Sequence, residues 1–125
     1  NNDGDDNEDD DDSGPIYKPD HICLTNGAVG AIYNTLSIQI ENKNDIVVAP
    51  LPSYGLYASD TSLLNGTFIP LKCGTAYNGF ALSPKDIQRA FDTHGANLRV
   101  LILCYPNNPT GTCLSQQDAQ GIVDE

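Results

Sequence analysis

A strand-length apolar run that ends in a proline-rich turn limits this chain most. Leu98-Arg99-Val100-Leu101-Ile102-Leu103-Cys104 reads as a buried strand, and Tyr105-Pro106-Asn107-Asn108-Pro109-Thr110-Gly111 follows at once. Two prolines flanking two asparagines make a rigid turn that holds an amide side chain at a fixed angle. In an open α/β sheet, ligands bind at the carboxyl ends of the strands. The turn is therefore predicted to build a site, not merely to connect two elements.

Two further loops complement it. Thr25-Asn26-Gly27-Ala28-Val29-Gly30-Ala31 leads into a segment whose apolar residues Val29, Ile32, Tyr33, Leu36 and Ile40 recur at helical steps. Its first turn holds small residues, so free backbone N–H groups at a helix start can cradle a phosphate. Leu51-Pro52-Ser53-Tyr54-Gly55-Leu56-Tyr57 follows the strand-like Asp45–Ala49 and puts an aromatic ring past another strand end. A phosphate seat, an aromatic plate and a fixed amide together suit a phosphorylated aromatic ring.

The remaining pattern alternates. Gly55 to Leu64 reads as a helix stopped by Asn65-Gly66, and Thr67-Phe68-Ile69-Pro70-Leu71 as a short strand. Pro70 cannot donate to a ladder, which places that strand at an edge or Pro70 at its end. Lys72 to Leu82 is a predicted loop. Ser83-Pro84-Lys85-Asp86 opens a helix with an N-cap serine, a first-turn proline and a capping acid, and the helix ends near Thr93 to Gly95. Ser115-Gln116-Gln117-Asp118 opens another. Strand–helix–strand order with short loops implies an α/β fold with a mostly parallel sheet.

In these three loops the sequence resembles the class I/II aminotransferases, pyridoxal-phosphate enzymes of fold type I, over about Asp20 to Glu125. The resemblance implies part of that family's large domain, a mixed seven-stranded sheet. It implies that Gly27, Ala28 and Val29 anchor the phosphate of pyridoxal 5'-phosphate, that Tyr54 stacks on the pyridine ring, and that Asn108 hydrogen-bonds the phenolic oxygen. Tyr57 matches a further active-site position of some members. The bonds before Pro52 and Pro109 become candidates for cis. The implied substrates are an amino acid and a 2-oxo acid, and the implied assembly is a homodimer whose sites borrow partner residues.

The family's Schiff-base lysine, pyridine-binding aspartate and carboxylate-binding arginine lie downstream of the Asn-Pro-Thr-Gly turn. Here Lys18, Lys43, Lys72 and Lys85 all precede it, and none stands in a Ser-x-x-Lys context. No catalytic residue is assigned within the chain. The sequence has no methionine and stops a few residues into its last helix, so it is expected to be a fragment truncated at its C-terminus. Two competing readings stand beside the transaminase: another fold type I enzyme, a lyase or synthase, and a non-catalytic remnant that binds basic partners through its acidic tail. A dinucleotide site is a poorer match, because Gly27-Ala28-Val29-Gly30 lacks the third glycine of that fingerprint.

Composition narrows the rest. The formal net charge is −11, and eight of the seventeen acidic groups lie between Asp3 and Asp12. Acidity is thus largely a property of a tail, residues 1–19, expected to be disordered because it has no apolar surface to bury. The six basic residues are scattered, which leaves no nucleic-acid footprint. No apolar stretch nears the ~18 residues of a membrane span. Cys23, Cys73, Cys104 and Cys113 form no Cys-x-x-Cys pair, so no metal site is expected. They read as reduced core or loop thiols of a cytoplasmic protein, with Cys104 inside the buried strand.

Overall fold

The computed structural model describes residues 17–124; most of the expected acidic tail lies outside the described residues. After a 3-10 turn at Pro19–His21, the order is α1 (Gly27–Gln39), β1 (Ile46–Pro50), α2 (Leu56–Leu63), β2 (Thr67–Leu71), α3 (Pro84–His94), β3 (Leu98–Leu101) and α4 (Gln116–Val123). The three strands form one parallel sheet in the order β2-β1-β3. Pro70 sits on the edge strand β2, as its missing N–H requires. Asn65 takes φ 62° directly after α2, the left-handed stop expected there. The loop expected over Lys72 to Leu82 is present, with one 3-10 turn at Ala76–Asn78. Among the described residues no helix is long and apolar enough to cross a membrane.

β1 is the centre. Val47, Val48 and Ala49 are fully buried, because this strand has a neighbour on each edge and helices over each face. Val47 packs with Leu36 of α1, with Ile40 just past its end, and with Leu64, Phe68 and Val100. Ile46 and Val48 face the other way, against Leu71, Leu82, and Ile87 and Ala90 of α3. Burying each such side chain is worth about 1.5–3 kcal/mol.

α3 begins as its sequence dictates. Asp86 Oδ2 accepts from both the backbone N–H (3.1 Å) and the hydroxyl (2.7 Å) of Ser83, with Pro84 at the first helical position. At α4, Asp118 N–H donates to Ser115 Oγ at 3.0 Å, while the Asp118 carboxylate takes the serine hydroxyl at 2.7 Å.

The helix expected from the Val29–Ile40 spacing forms; its Leu36 is buried, with Ile40 just past its end, while Val29 and Tyr33 stay about 40% exposed (43% and 39%). Two expectations need correction. First, the strand expected over Leu98–Cys104 is regular only to Leu101 and is half-buried, because β3 is an edge strand among the described residues. One more ladder bond, Ile102 N–H to Val48 O at 2.9 Å, precedes the departure toward Pro106. Second, the buried cysteine is Cys73, not Cys104, since the strand ends before Cys104.

A bulge at Arg99 sets the parity of β3. Ile46 pairs with Leu98 but Val47 pairs with Val100, so one residue is extra. That residue lets Leu98 and Leu101 share one face while Val100 and Ile102 share the other. It also aims Arg99 at Asp45, where Nε donates to Oδ1 at 3.0 Å. Asp45 is 4% exposed, and its Oδ2 accepts from the backbone N–H groups of Glu41 (2.8 Å) and Asn42 (2.9 Å). Its carbonyl takes Thr67 N–H at 2.9 Å. One aspartate thus joins the α1–β1 connection, β2 and β3.

The two backbone donors, and after them Arg99, hold the Asp45 carboxyl below its ordinary value of 3.8. A depressed folded-state pKa contributes stability that is complete above the unfolded value and is lost as pH falls through the folded one. Asp45→Asn is therefore expected to lower the urea midpoint at neutral pH. It should also flatten the acid decline that the wild type shows below about pH 4. Equal midpoints and equal acid slopes would exclude Asp45 as this anchor.

Candidate functional site

The topology locates a crevice before any side chain is considered. From β1 the chain passes through α2, on the Val47 face, to β2. From β3 it passes to α4, whose Ile122 packs on the Val48 face. Chains leaving the adjacent carboxyl ends of β1 and β3 therefore go to opposite faces, which is the switch point where open α/β sheets bind ligands. A narrow cleft lies there, lined by Ala49, Pro50, Tyr57, Ile102, Cys104 and Asn107.

Both singled-out loops flank this cleft. The turn after β1 carries Tyr54, half-buried, its ring edge-on to Tyr57 with centroids 5.8 Å apart and planes at 82°. Tyr57 is 5% exposed; burial, and after it the neighbouring Cys104 thiol, pushes its phenol above the ordinary value. The turn after β3 carries Asn107 and Asn108. Asn108 is exposed, whereas Asn107 is half-buried and ties the turns together: its Nδ2 donates to Pro52 O at 3.0 Å and to Thr110 Oγ1 at 2.9 Å. The peptide bonds before Pro52, Pro106 and Pro109 are cis; the first and last were the expected ones.

The third expected piece is the start of α1. A short connection joins the end of α1 to the beginning of β1, so the helix runs antiparallel to the strand and its start lies toward the carboxyl ends of the sheet. Gly27 has φ +69°, and a Cβ there would meet nothing within 4 Å, so open space lies before it. Asn26 stands at the N-cap without a side-chain bond to the helix. The first-turn N–H groups at Ala28 and Val29 thus have no side-chain cap, as an anion seat requires. Thr25 Oγ1 donates to Gly27 O at 2.9 Å and fixes the entry. The structure links the Tyr54 and Asn108 turns by direct bonds; α1 joins them through packing of Ile32 and Leu36 beside Val100 and Ile102.

The loop after β2 is the part that sequence reasoning left plain. Gly74 (φ +36°) packs so tightly that a Cβ would lie 2.6 Å from Ala81 N. Cys73 Sγ lies 3.6 Å from the carbonyls of Leu51 and Phe80, and Thr112 Oγ1 donates to Gly79 O at 2.7 Å. The clustered Gly74, Gly79 and Phe80, all at positive φ, fold the loop back toward the cleft. Among the described residues no group of three or more His, Cys, Asp or Glu could hold a metal ion.

Comparison with known proteins now identifies the architecture. Residues 11–125 match the family described as aminotransferase class I and II, and the chain belongs to it. The match begins upstream of Asp20, inside the acidic run. Alanine aminotransferase 2, mitochondrial, of Arabidopsis thaliana is 28% identical over 109 residues, which are 85% of this chain and 20% of that protein. The crystal structure of the aspartate aminotransferase from Rhizobium meliloti superposes with a TM-score of 0.71 at 23% identity, covering 80% of this chain and 24% of that one. The PLP-bound C–S lyase from Staphylococcus hominis gives 0.68 at 19%, over 86% and 27%. The chain thus spans about a fifth of the length of the curated relative and shares the fold of the two solved structures.

Burial, and then the Asp86 charge, raises the Cys73 thiol above its ordinary value, while Cys23 and Cys113 are exposed. Only the thiolate alkylates readily. Iodoacetamide at mildly alkaline pH is expected to label Cys23 and Cys113 first, and Cys73 only on unfolding, as read by peptide mass spectrometry. Labelling of Cys73 as fast as Cys113 would contradict the packing of this loop.

Proposed function

We propose that this chain is the cofactor-cradling part of a pyridoxal-phosphate-dependent aminotransferase, which moves an amino group between an amino acid and a 2-oxo acid. The observation that carries the reading is the joining of the Tyr54 and Asn108 turns at the β1/β3 switch point, through Asn107 and Pro52. The uncapped start of α1, facing the same end of the sheet, adds the anion seat.

The residues present fit the cofactor. Ala28 and Val29 offer backbone donors to its phosphate, while Gly27, whose own N–H is taken by Thr25 O at 2.9 Å, keeps the approach free of a side chain. The Tyr54 ring provides a face for the pyridine, and the edge-on Tyr57 holds that ring in place. Asn108, exposed on its turn, offers an amide to the phenolic oxygen. When bound, the cofactor supplies an electron sink, and the protein binds, orients and tunes it. Lys18, Lys43, Lys72 and Lys85 are all exposed, and none lines the β1/β3 cleft. The covalent lysine is assigned to the remainder of a longer protein. The reading extends to a homodimer, in which the exposed apolar Val29, Tyr33 and Ile38 of α1 would be covered.

The test uses the protein that carries this chain, at its full length, with alanine as first donor because of the alanine-type relative. Transfer to a 2-oxo acid acceptor, dependent on pyridoxal phosphate, is expected. The C–S lyase likeness favours one second reading, elimination, which would release ammonia with no acceptor present. Tyr54→Ala should weaken cofactor retention in equilibrium dialysis by roughly five- to tenfold, the worth of one ring contact. Asn108→Ala should move the pH midpoint of the bound cofactor's absorption band and reduce turnover. An unchanged midpoint would remove Asn108 from the site.

A further inference from the structure

We infer that Asn107, not only its neighbour Asn108, sets the geometry of the cradle: it is the positioning residue that fixes the Tyr54 turn against the Asn108 turn. The inference rests on the proposed cofactor site and adds a residue to it.

The argument is one of donors and acceptors. A primary amide carries two N–H donors on one nitrogen. Asn107 uses them on groups from different parts of the chain: Pro52 O at 3.0 Å, two residues before Tyr54, and Thr110 Oγ1 at 2.9 Å, two residues after Asn108. Its own backbone is held on both sides, since its N–H donates to Thr112 O (2.8 Å) and its carbonyl takes Gly111 N–H (2.7 Å). The amide is therefore anchored in one turn while it grips the other.

The chain of bonds continues in one direction. Thr110 Oγ1, having accepted from Asn107, donates to Thr112 Oγ1 at 2.9 Å, and Thr112 Oγ1 donates to Gly79 O at 2.7 Å. Each hydroxyl has one proton and spends it once, so the relay has a single consistent polarity. It crosses all three loops at the carboxyl end of the sheet. Other ties hold the β1 turn one residue earlier: Leu51 N–H reaches Leu71 O at 3.0 Å, and Cys73 Sγ lies 3.6 Å from Leu51 O. Among the described residues, the Pro52 carbonyl, one residue further toward Tyr54, is held by Asn107, and the Tyr54 carbonyl itself takes Tyr57 N–H at 3.2 Å as α2 begins.

Aspartate has the same shape and no donor, so Asn107→Asp would set a carboxylate oxygen against the Pro52 carbonyl. Thr110→Val removes the relay hydroxyl at constant size, and Thr110→Ser keeps it. In the full-length protein without cofactor, hydrogen exchange of the 51–57 peptide is expected to quicken in Asn107→Asp and Thr110→Val, and to stay near wild type in Thr110→Ser. With pyridoxal phosphate, the first two variants should bind up to about tenfold more weakly, the worth of one hydrogen bond, and shift the pH midpoint of the bound cofactor's absorption band. Unchanged exchange overturns the inference. So does faster exchange with an unmoved affinity and midpoint, because a merely structural residue would behave that way. A wild type that takes up no pyridoxal phosphate overturns the proposed function; the exchange comparison then decides alone whether Asn107 joins the two turns.

Discussion

Everything in this structure depends on burying β1 on four sides. A strand with water on neither face must be apolar throughout, and Ile46-Val47-Val48-Ala49 is. Its two edges take β2 and β3, and its two faces take α1 with α2, and α3 with α4. Once those neighbours are in place, the loops leaving β1, β2 and β3 have no choice of address. They meet at one end of the sheet, where the polar groups freed by the strands' ends need partners.

The two ends of the sheet solve that need differently. At the amino end one buried carboxylate does most of it: Asp45 accepts from the α1–β1 connection and from Arg99 of β3, while its carbonyl takes a β2 donor. A charge held by several donors is rigid, and that end is built to stay closed. At the carboxyl end the ties are neutral and distributed, running from Pro52 through Asn107, Thr110 and Thr112 to Gly79. Neutral amides and hydroxyls fix geometry without filling the cleft with charge. The Asn108 side chain stays exposed, and the start of α1 has no side-chain cap.

Much of this could be read from the sequence wherever the cause was local. Ser83-Pro84-Lys85-Asp86 starts α3 because a serine, a proline and an acid at those offsets satisfy a helix's first donors among themselves. Pro70 announces an edge strand, and Asn65 a left-handed stop, for equally local reasons. The bulge at Arg99 was not legible, since one charged residue in an apolar run reads as an exposed position. The partner it brings Arg99 to is Asp45, 54 residues away. The same distance effect hid Cys73, which is buried only because the Gly74–Phe80 loop folds back over the sheet end.

The site shows the boundary most clearly. A motif states which residues are displayed, and the resemblance carried by the Asn-Asn-Pro-Thr-Gly string implies a cofactor role for Asn108. It could not say what holds that display still, because the holding residue looks like any other polar neighbour. Asn107 differs from Asn108 only in direction: its amide turns inward to a carbonyl 55 residues earlier, while Asn108 is left exposed. Two identical side chains, adjacent in sequence, thus divide the work of positioning and of presentation. The division follows from the fold, which brings the Pro52 carbonyl within 3.0 Å of the Asn107 amide, and not from any difference in the residues themselves.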